Sequence, residues 1–195
     1  MVVNKPANLL SVPGRGPHNQ DSVLSRAAEA LPQALIIHRL DCATSGVMVL
    51  AKTKAAQQEL SRQFQDRETQ KEYRAITYGP CPHPKGEIRF PLITDWPNRP
   101  RQKICYLQGK PSLTRFERLS QDGSRNHLRL IPVTGRSHQL RVHTMATGMA
   151  IIGDNLYANT TVAGMSDRLL LHAHKLQVQH PDSGKTLCWQ AELPF

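Results

Sequence analysis

The sequence predicts an α+β fold in which a mixed, largely antiparallel sheet is flanked by helices and loops. Three observations carry this expectation. Strand-like and helix-like segments mix along the 195 residues without the strict alternation of a doubly wound parallel sheet. Successive strand candidates are joined by short turns, Asp122-Gly123 and Pro181-Asp182-Ser183-Gly184, the connection used between antiparallel neighbours. The length, with 39% hydrophobic residues, supports one good-sized core, so a single domain over 1–195 is expected.

The elements follow in order. Met1-Val2-Val3 reads as a short strand stopped by Lys5-Pro6, before a loop rich in Gly and Pro over 11–17. Asp21 is placed to cap a helix with Val23, Leu24, Ala27, Ala28 and Leu31 on one face, ended by Pro32. Residues 35–51 hold two apolar runs around His38-Arg39-Leu40-Asp41-Cys42-Ala43-Thr44-Ser45-Gly46, with Gly46 giving the sharp exit. Thr53 caps a second helix in which Ala56, Leu60 and Phe64 recur four apart. A strand over 72–78 places Tyr73, Ala75 and Thr77 on one face and Arg74, Ile76 and Tyr78 on the other. Prolines then break any long helix up to Pro111, leaving short strands at 87–90 and 104–107. Strands at 113–119 and 127–133 come next, then a helix from Ser137, its N-cap, to Gly148. A hairpin over 169–179 and 186–193 closes the chain.

Charge narrows the function. Lys and Arg number 25 against 15 Asp and Glu, a net +10, which attracts polyanions. Only 5% of residues are aromatic, which argues against a stacking platform of many rings. No apolar run reaches the length of a membrane helix, and the amino-terminal apolar segment is too short for a signal peptide. A cytoplasmic protein, monomeric for want of heptads, is expected. Cys42, Cys81, Cys105 and Cys188 lie too far apart for metal-ligand spacing and read as free thiols. Cys42 lacks the His–Asn pattern of a thiol nucleophile.

Three segments carry candidate chemistry. Asp41 lies in a loop between two anchored strands, either as a reactive carboxylate or as the cap of the Thr44-Ser45 turn. In Gly135-Arg136-Ser137-His138-Gln139-Leu140-Arg141-Val142-His143, a helix start beside Arg136 suits a phosphate, or the segment is a solvated basic helix. His138 and His143 are five apart, not the four of a helical zinc pair. His172 and His174 share a strand face, as metal ligands or as satisfied histidines. Tyr73 on its strand is either a platform for a base or half-buried core. Arg99, Arg101, Lys103 and Lys110 form an exposed basic edge.

Along nearly its whole length the chain resembles the RluA family of pseudouridine synthases. The resemblance is carried by Val3-Asn4-Lys5-Pro6, Leu10-Ser11-Val12-Pro13, His38 to Gly46, Lys71-Glu72-Tyr73 and Gly135 to His143. Arg168-Leu169-Leu170-Leu171-His172-Ala173, Asp95-Trp96-Pro97-Asn98-Arg99-Pro100 and Gly109-Lys110-Pro111 extend it. It implies that Asp41 is catalytic, that Tyr73 stacks on the target base, that Arg141 pairs with the catalytic carboxylate, and that Leu171 packs apolar atoms against the site. Arg39 would contact phosphate or fill the space that a flipped base leaves. Arg99, Arg101, Lys103, Arg136 and His138 are the expected RNA contacts. The implied partner is structured RNA, ribosomal RNA or a tRNA anticodon stem-loop, with no cofactor and no metal. The family's usual amino-terminal lead is longer, so pairing at that sheet edge is open. Two other classes remain: a non-catalytic RNA-binding or ribosome-assembly module, and an Asp-dependent glycosylase that releases free uracil.

Overall fold

The computed structural model describes residues 1–195. Its strands are β1 (Val2–Lys5), β2 (Leu35–Ile36), β3 (Ser45–Ala51), β4 (Gln70–Tyr78), β5 (Lys85–Ile88), β6 (Leu92–Thr94), β7 (Gln102–Ile104), β8 (Thr114–Asp122), β9 (Arg125–Pro132), β10 (Ala150–Ile151), β11 (Leu171–Gln179) and β12 (Thr186–Gln190). Its helices are α1 (Val23–Ala30), α2 (Lys54–Gln65), α3 (Gln139–Ala146) and α4 (Thr160–Ala163). The chain forms two compact units, one of residues 1–71 and 172–194, the other of 72–171 with Phe195.

In the first unit β3 is the centre. All seven of its residues are buried, as a near-continuous apolar run requires of a strand covered on both faces. β1 pairs antiparallel with residues 46–49 of β3, and β2 antiparallel with Leu50 and Ala51. β11 runs parallel to β3 at Ser45 and Gly46 and antiparallel to β12, so the sheet is mixed. Leu60 of α2 joins Val47, Val49, Leu176, Val178 and Ala191 in one core, with Phe64 packed against it. The expected Thr53 cap is present, its Oγ1 accepting from the Ala56 amide at 3.2 Å. α1 is capped by Ser22 rather than Asp21. The Ser22 hydroxyl accepts from the Ser25 amide while the Ser25 hydroxyl answers the Ser22 amide, and Asp21 instead pairs with Arg26. Gly46 is inside β3 rather than at a turn. Its φ of 121° and the Ala173 backbone, 2.3 Å from where a Cβ would stand, explain why only glycine fits.

The second unit is an antiparallel sheet in the order β4-β9-β8-β5, with β10 on β4. The β8–β9 hairpin turns at the expected Gly123, φ 55°. β6 and β7 form their own two-stranded ribbon. The strand expected at 104–107 is displaced, because the Gly109 amide donates to the Cys105 carbonyl and closes a turn there. The strand expected at 87–90 is likewise earlier, at 85–88. Leu92 of β6, Val142 of α3 and Tyr157 share a core with Ile104, Met145 and Leu156. α3 starts at Gln139, not Ser137. His138 takes the cap position in a left-handed conformation (φ 52°), and the Gln139 side chain accepts the Arg136 amide.

Candidate active site

Asp41 lies in the loop between β2 and β3, in a turn closed by the Thr44 amide donating to the Asp41 carbonyl at 3.1 Å. That turn is pinned on both flanks. Before it, the Ser11 hydroxyl donates to the Leu40 carbonyl at 2.7 Å and accepts from the Leu40 amide at 3.0 Å. After it, the buried Lys5 ammonium donates to the Cys42 carbonyl at 2.8 Å, and also to Pro6 and Leu9 carbonyls at 2.9 and 2.6 Å. Side-chain bonds to backbone on both sides leave the Asp41 carboxylate half-buried on a fixed main chain. Arg39, two residues earlier, is exposed. Lys5 and Ser11 were not singled out as positioning groups. Their signal, an ionisable or hydroxyl residue beside apolar runs at the amino terminus, says nothing of a partner 29 or 37 residues on.

His38 anchors the upstream strand. Its ring stacks on Phe64 with centroids 4.4 Å apart, and its Nε2 accepts from the Val49 amide at 3.1 Å, which requires a neutral ring. Burial, with the Lys71 charge nearby, lowers its pKa to about 4. Above the unfolded value near 6.5 both states are neutral. As pH falls the unfolded chain takes up a proton that the folded chain refuses, so stability declines from about pH 6.5 down to about 4 and levels below it. Between pH 7 and 5 the loss is about 2 kcal/mol. Buried His143, lowered in the same direction, adds to it. Urea unfolding at the two pH values checks this. His38→Gln, which keeps an acceptor near Nε2, should lose distinctly less stability than wild type; an equal loss would remove His38 as the cause.

In the second unit α3 carries Arg141 inward, where it is 4% exposed. Its Nε and Nη2 donate to Asp154 at 2.8 and 2.6 Å, a side-on bidentate pair. Tyr157 packs its ring under the same guanidinium at 5.2 Å and faces that of Arg101 at 5.6 Å. The Tyr157 hydroxyl accepts from the Gln102 amide and bonds His138 Nδ1, both within 2.8 Å. Arg141, Arg101 and His138 therefore converge on one ring. Asp154 and Tyr157 escaped the sequence reading. The available signal was an acid directly after the apolar Ile151-Ile152-Gly153, a position where an acid is buried only if paired.

The other expected residues are spread over this unit. Tyr73 stands half-buried on β4 opposite Leu130, and Leu171 is buried at the start of β11. Arg99 and Lys103 lie exposed on the β6–β7 ribbon, Arg99 over Trp96 at 4.6 Å and Lys103 paired with Asp95 at 3.2 Å. Arg136 is apart from them, against the Pro111 carbonyl. The histidines weighed as metal ligands have hydrogen-bonding partners. His143 meets Ser112, Thr114 and the Phe90 carbonyl, His172 the Ser45 hydroxyl, and His174 the Ala191 carbonyl. No helix is long and apolar enough to cross a membrane.

A family model described as RNA pseudouridylate synthase matches residues 1–146. The chain belongs to that family. This synthase is 50% identical over 196 residues to the dual-specificity RNA pseudouridine synthase RluA of Yersinia pestis, covering all of this chain and 95% of that one. It is 47% identical to the Haemophilus influenzae RluA, covering all of this chain and 89% of that protein. Among solved structures, human RNA pseudouridylate synthase domain containing 1 superposes with a TM-score of 0.83 at 28% identity, covering all of this chain and 80% of that one. The synthase is thus an enzyme, an isomerase, with the mixed sheet and flanking helices expected of it.

Proposed function

We propose that this protein converts specific uridines of structured RNA, ribosomal RNA or a tRNA anticodon stem-loop, to pseudouridine, with Asp41 as the catalytic carboxylate. The observation that carries this reading is the whole-chain identity to RluA proteins, with Asp41 at the centre of a turn pinned from both sides. We take the protein to be one catalytic domain, monomeric and cytoplasmic.

The reaction breaks the bond between C1′ and N1, turns the uracil, and joins C5 to C1′. N1 gains a proton and C5 loses one, so atoms balance without a cofactor. The target base must first leave its stack, at a cost of a few kcal/mol that stacking on Tyr73 partly offsets. Arg39 then contacts phosphate or fills the vacated space, and Leu171 presents apolar surface. Asp41 must be ionised whether it first attacks C1′, attacks C6 or removes a sugar proton. Arg141 is the guanidinium that the family resemblance assigns as its partner.

RNA carrying tritium at uridine C5 tests the proposal. Label released to water without free uracil is the expected result. Free uracil would make the protein a glycosylase, and retained label a binding module.

Arg99, Arg101, Lys103, Arg136 and His138 are the proposed RNA contacts. A triple variant Arg99→Ala, Arg101→Ala, Lys103→Ala should weaken RNA binding at least about tenfold near physiological salt and flatten the slope of log affinity against log salt by about 2. Titrations at several salt concentrations read this directly, and an unchanged slope would take the β6–β7 ribbon out of the interface.

A further inference from the structure

We propose that Asp154 is a positioning residue that fixes the plane and direction of the Arg141 guanidinium; the proposal rests on reading Arg141 as the partner of the catalytic carboxylate. Asp154 is 1% exposed and its carboxylate accepts from four donors. Two are Arg141 Nε and Nη2, and two are the Leu156 and Tyr157 amides at 2.9 and 3.1 Å. The amide bonds hold the carboxylate to its own turn, so the guanidinium is tied to backbone through a single rigid group. The turn is itself constrained, since Gly153 has φ 76° and a Cβ there would stand 1.9 Å from the Arg168 carbonyl oxygen.

A guanidinium held along one edge can still rock about that edge. The Tyr157 ring under it restricts this second freedom, and the Tyr157 hydroxyl is in turn held by the Gln102 amide and His138. Edge and face together define the plane. Asp154 takes the Nε–Nη2 edge, so a second carboxylate would be met by the end of the fork that carries Nη1.

Stability alone is a weak reason for such a pair. Two charges this deeply buried lose about as much in desolvation as they gain from each other, and apolar residues of the same volume would serve as well. Orientation is what apolar residues would not supply. A reacting carboxylate served by a misdirected guanidinium loses rate far more than it loses RNA affinity.

The test is a double-variant cycle on the full chain, reading single-turnover pseudouridine formation and RNA affinity in the same preparations. Asp154→Asn keeps the shape but turns an amide NH2 toward one Arg141 N–H. It should slow turnover about 100-fold with RNA affinity within about threefold of wild type. Arg141→Gln retains a donor for Asp154, and in that background Asp154→Asn should cost less than about threefold, because the group through which it acts is gone. If Asp154→Asn alone does not fold, Asp154→Glu, which keeps the charge but shifts the carboxylate by one methylene, takes its place in both backgrounds, with the same expected contrast between them. Wild-type turnover by Asp154→Asn would overturn the proposal, as would equal losses in both backgrounds or a loss confined to RNA affinity. Wild-type protein that forms no pseudouridine would overturn the synthase reading, and this one with it.

Discussion

Replacing Asp41 with Asn is expected to slow pseudouridine formation by about 10⁴-fold or more, while RNA affinity stays within about threefold. The size follows from the role. A group that makes or breaks bonds with the substrate cannot be replaced by a neutral amide, and removing such a group costs other enzymes rates of this order. The substitution is nearly isosteric, and the contacts that pin the turn do not use the Asp41 side chain. Ser11 holds the Leu40 backbone, Lys5 holds the Cys42 carbonyl, and the Thr44 amide meets the Asp41 main-chain carbonyl. The turn should therefore keep its backbone, and a single cooperative melting transition checks that the fold is retained. Rate, affinity and melting temperature measured on one preparation separate the possibilities. A variant within tenfold of wild-type rate would show that the chemistry belongs to another group. A variant that binds no RNA would show that position 41 holds substrate instead.

Much of this site was legible because its signals are local. The apolar runs on either side of Asp41 became β2 and β3, Thr53 capped α2, and Asp122-Gly123 turned a hairpin. Periodicity and turn chemistry act over a few residues and leave their mark there. Caps were less secure, since Asp21 and Ser22 are neighbours that are both good caps. Ser22 prevails because Ser25 stands three residues on and completes a reciprocal pair. Buried charge was not legible at all. Lys5 finds the Cys42 carbonyl and Arg141 finds Asp154 by tertiary packing, at separations with no repeat to betray them. The start of α3 was missed for a related reason. Ser137 has the better intrinsic cap propensity, yet Gln139 reaches back to the Arg136 amide and, buried, also bonds Thr134, Leu113 and Thr114, pulling the helix start two residues later. A local preference worth about 1 kcal/mol yields to several buried hydrogen bonds.

The largest stability effect is expected at Gly46, where a single methyl group should unfold the first unit. An alanine Cβ there would stand 2.3 Å from the Ala173 carbonyl oxygen and 2.5 Å from its amide nitrogen, so nothing flexible is available to yield. Relief requires β3 and β11 to separate by about 1 Å, and their parallel pairing is only two residues long, Ser45 with His172 and Gly46 with Ala173. The Ser45 hydroxyl bond to His172, 2.7 Å, lies within that pairing and would be lost with it. Overpacking against backbone, of about 3 kcal/mol, adds to strain of about 2 kcal/mol for alanine at φ 121°, giving about 5 kcal/mol or more. Gly184→Ala provides the control. Gly184 also has a positive φ, 67°, but nothing lies within 4 Å of its Cβ position, so only about 1 kcal/mol of strain applies. Guanidinium unfolding of both variants distinguishes crowding from strain. If Gly46→Ala loses no more than Gly184→Ala, the close approach of β3 and β11 is not a constraint, and β3 does not hold the turn that carries Asp41 as rigidly as Ser11 and Lys5 do.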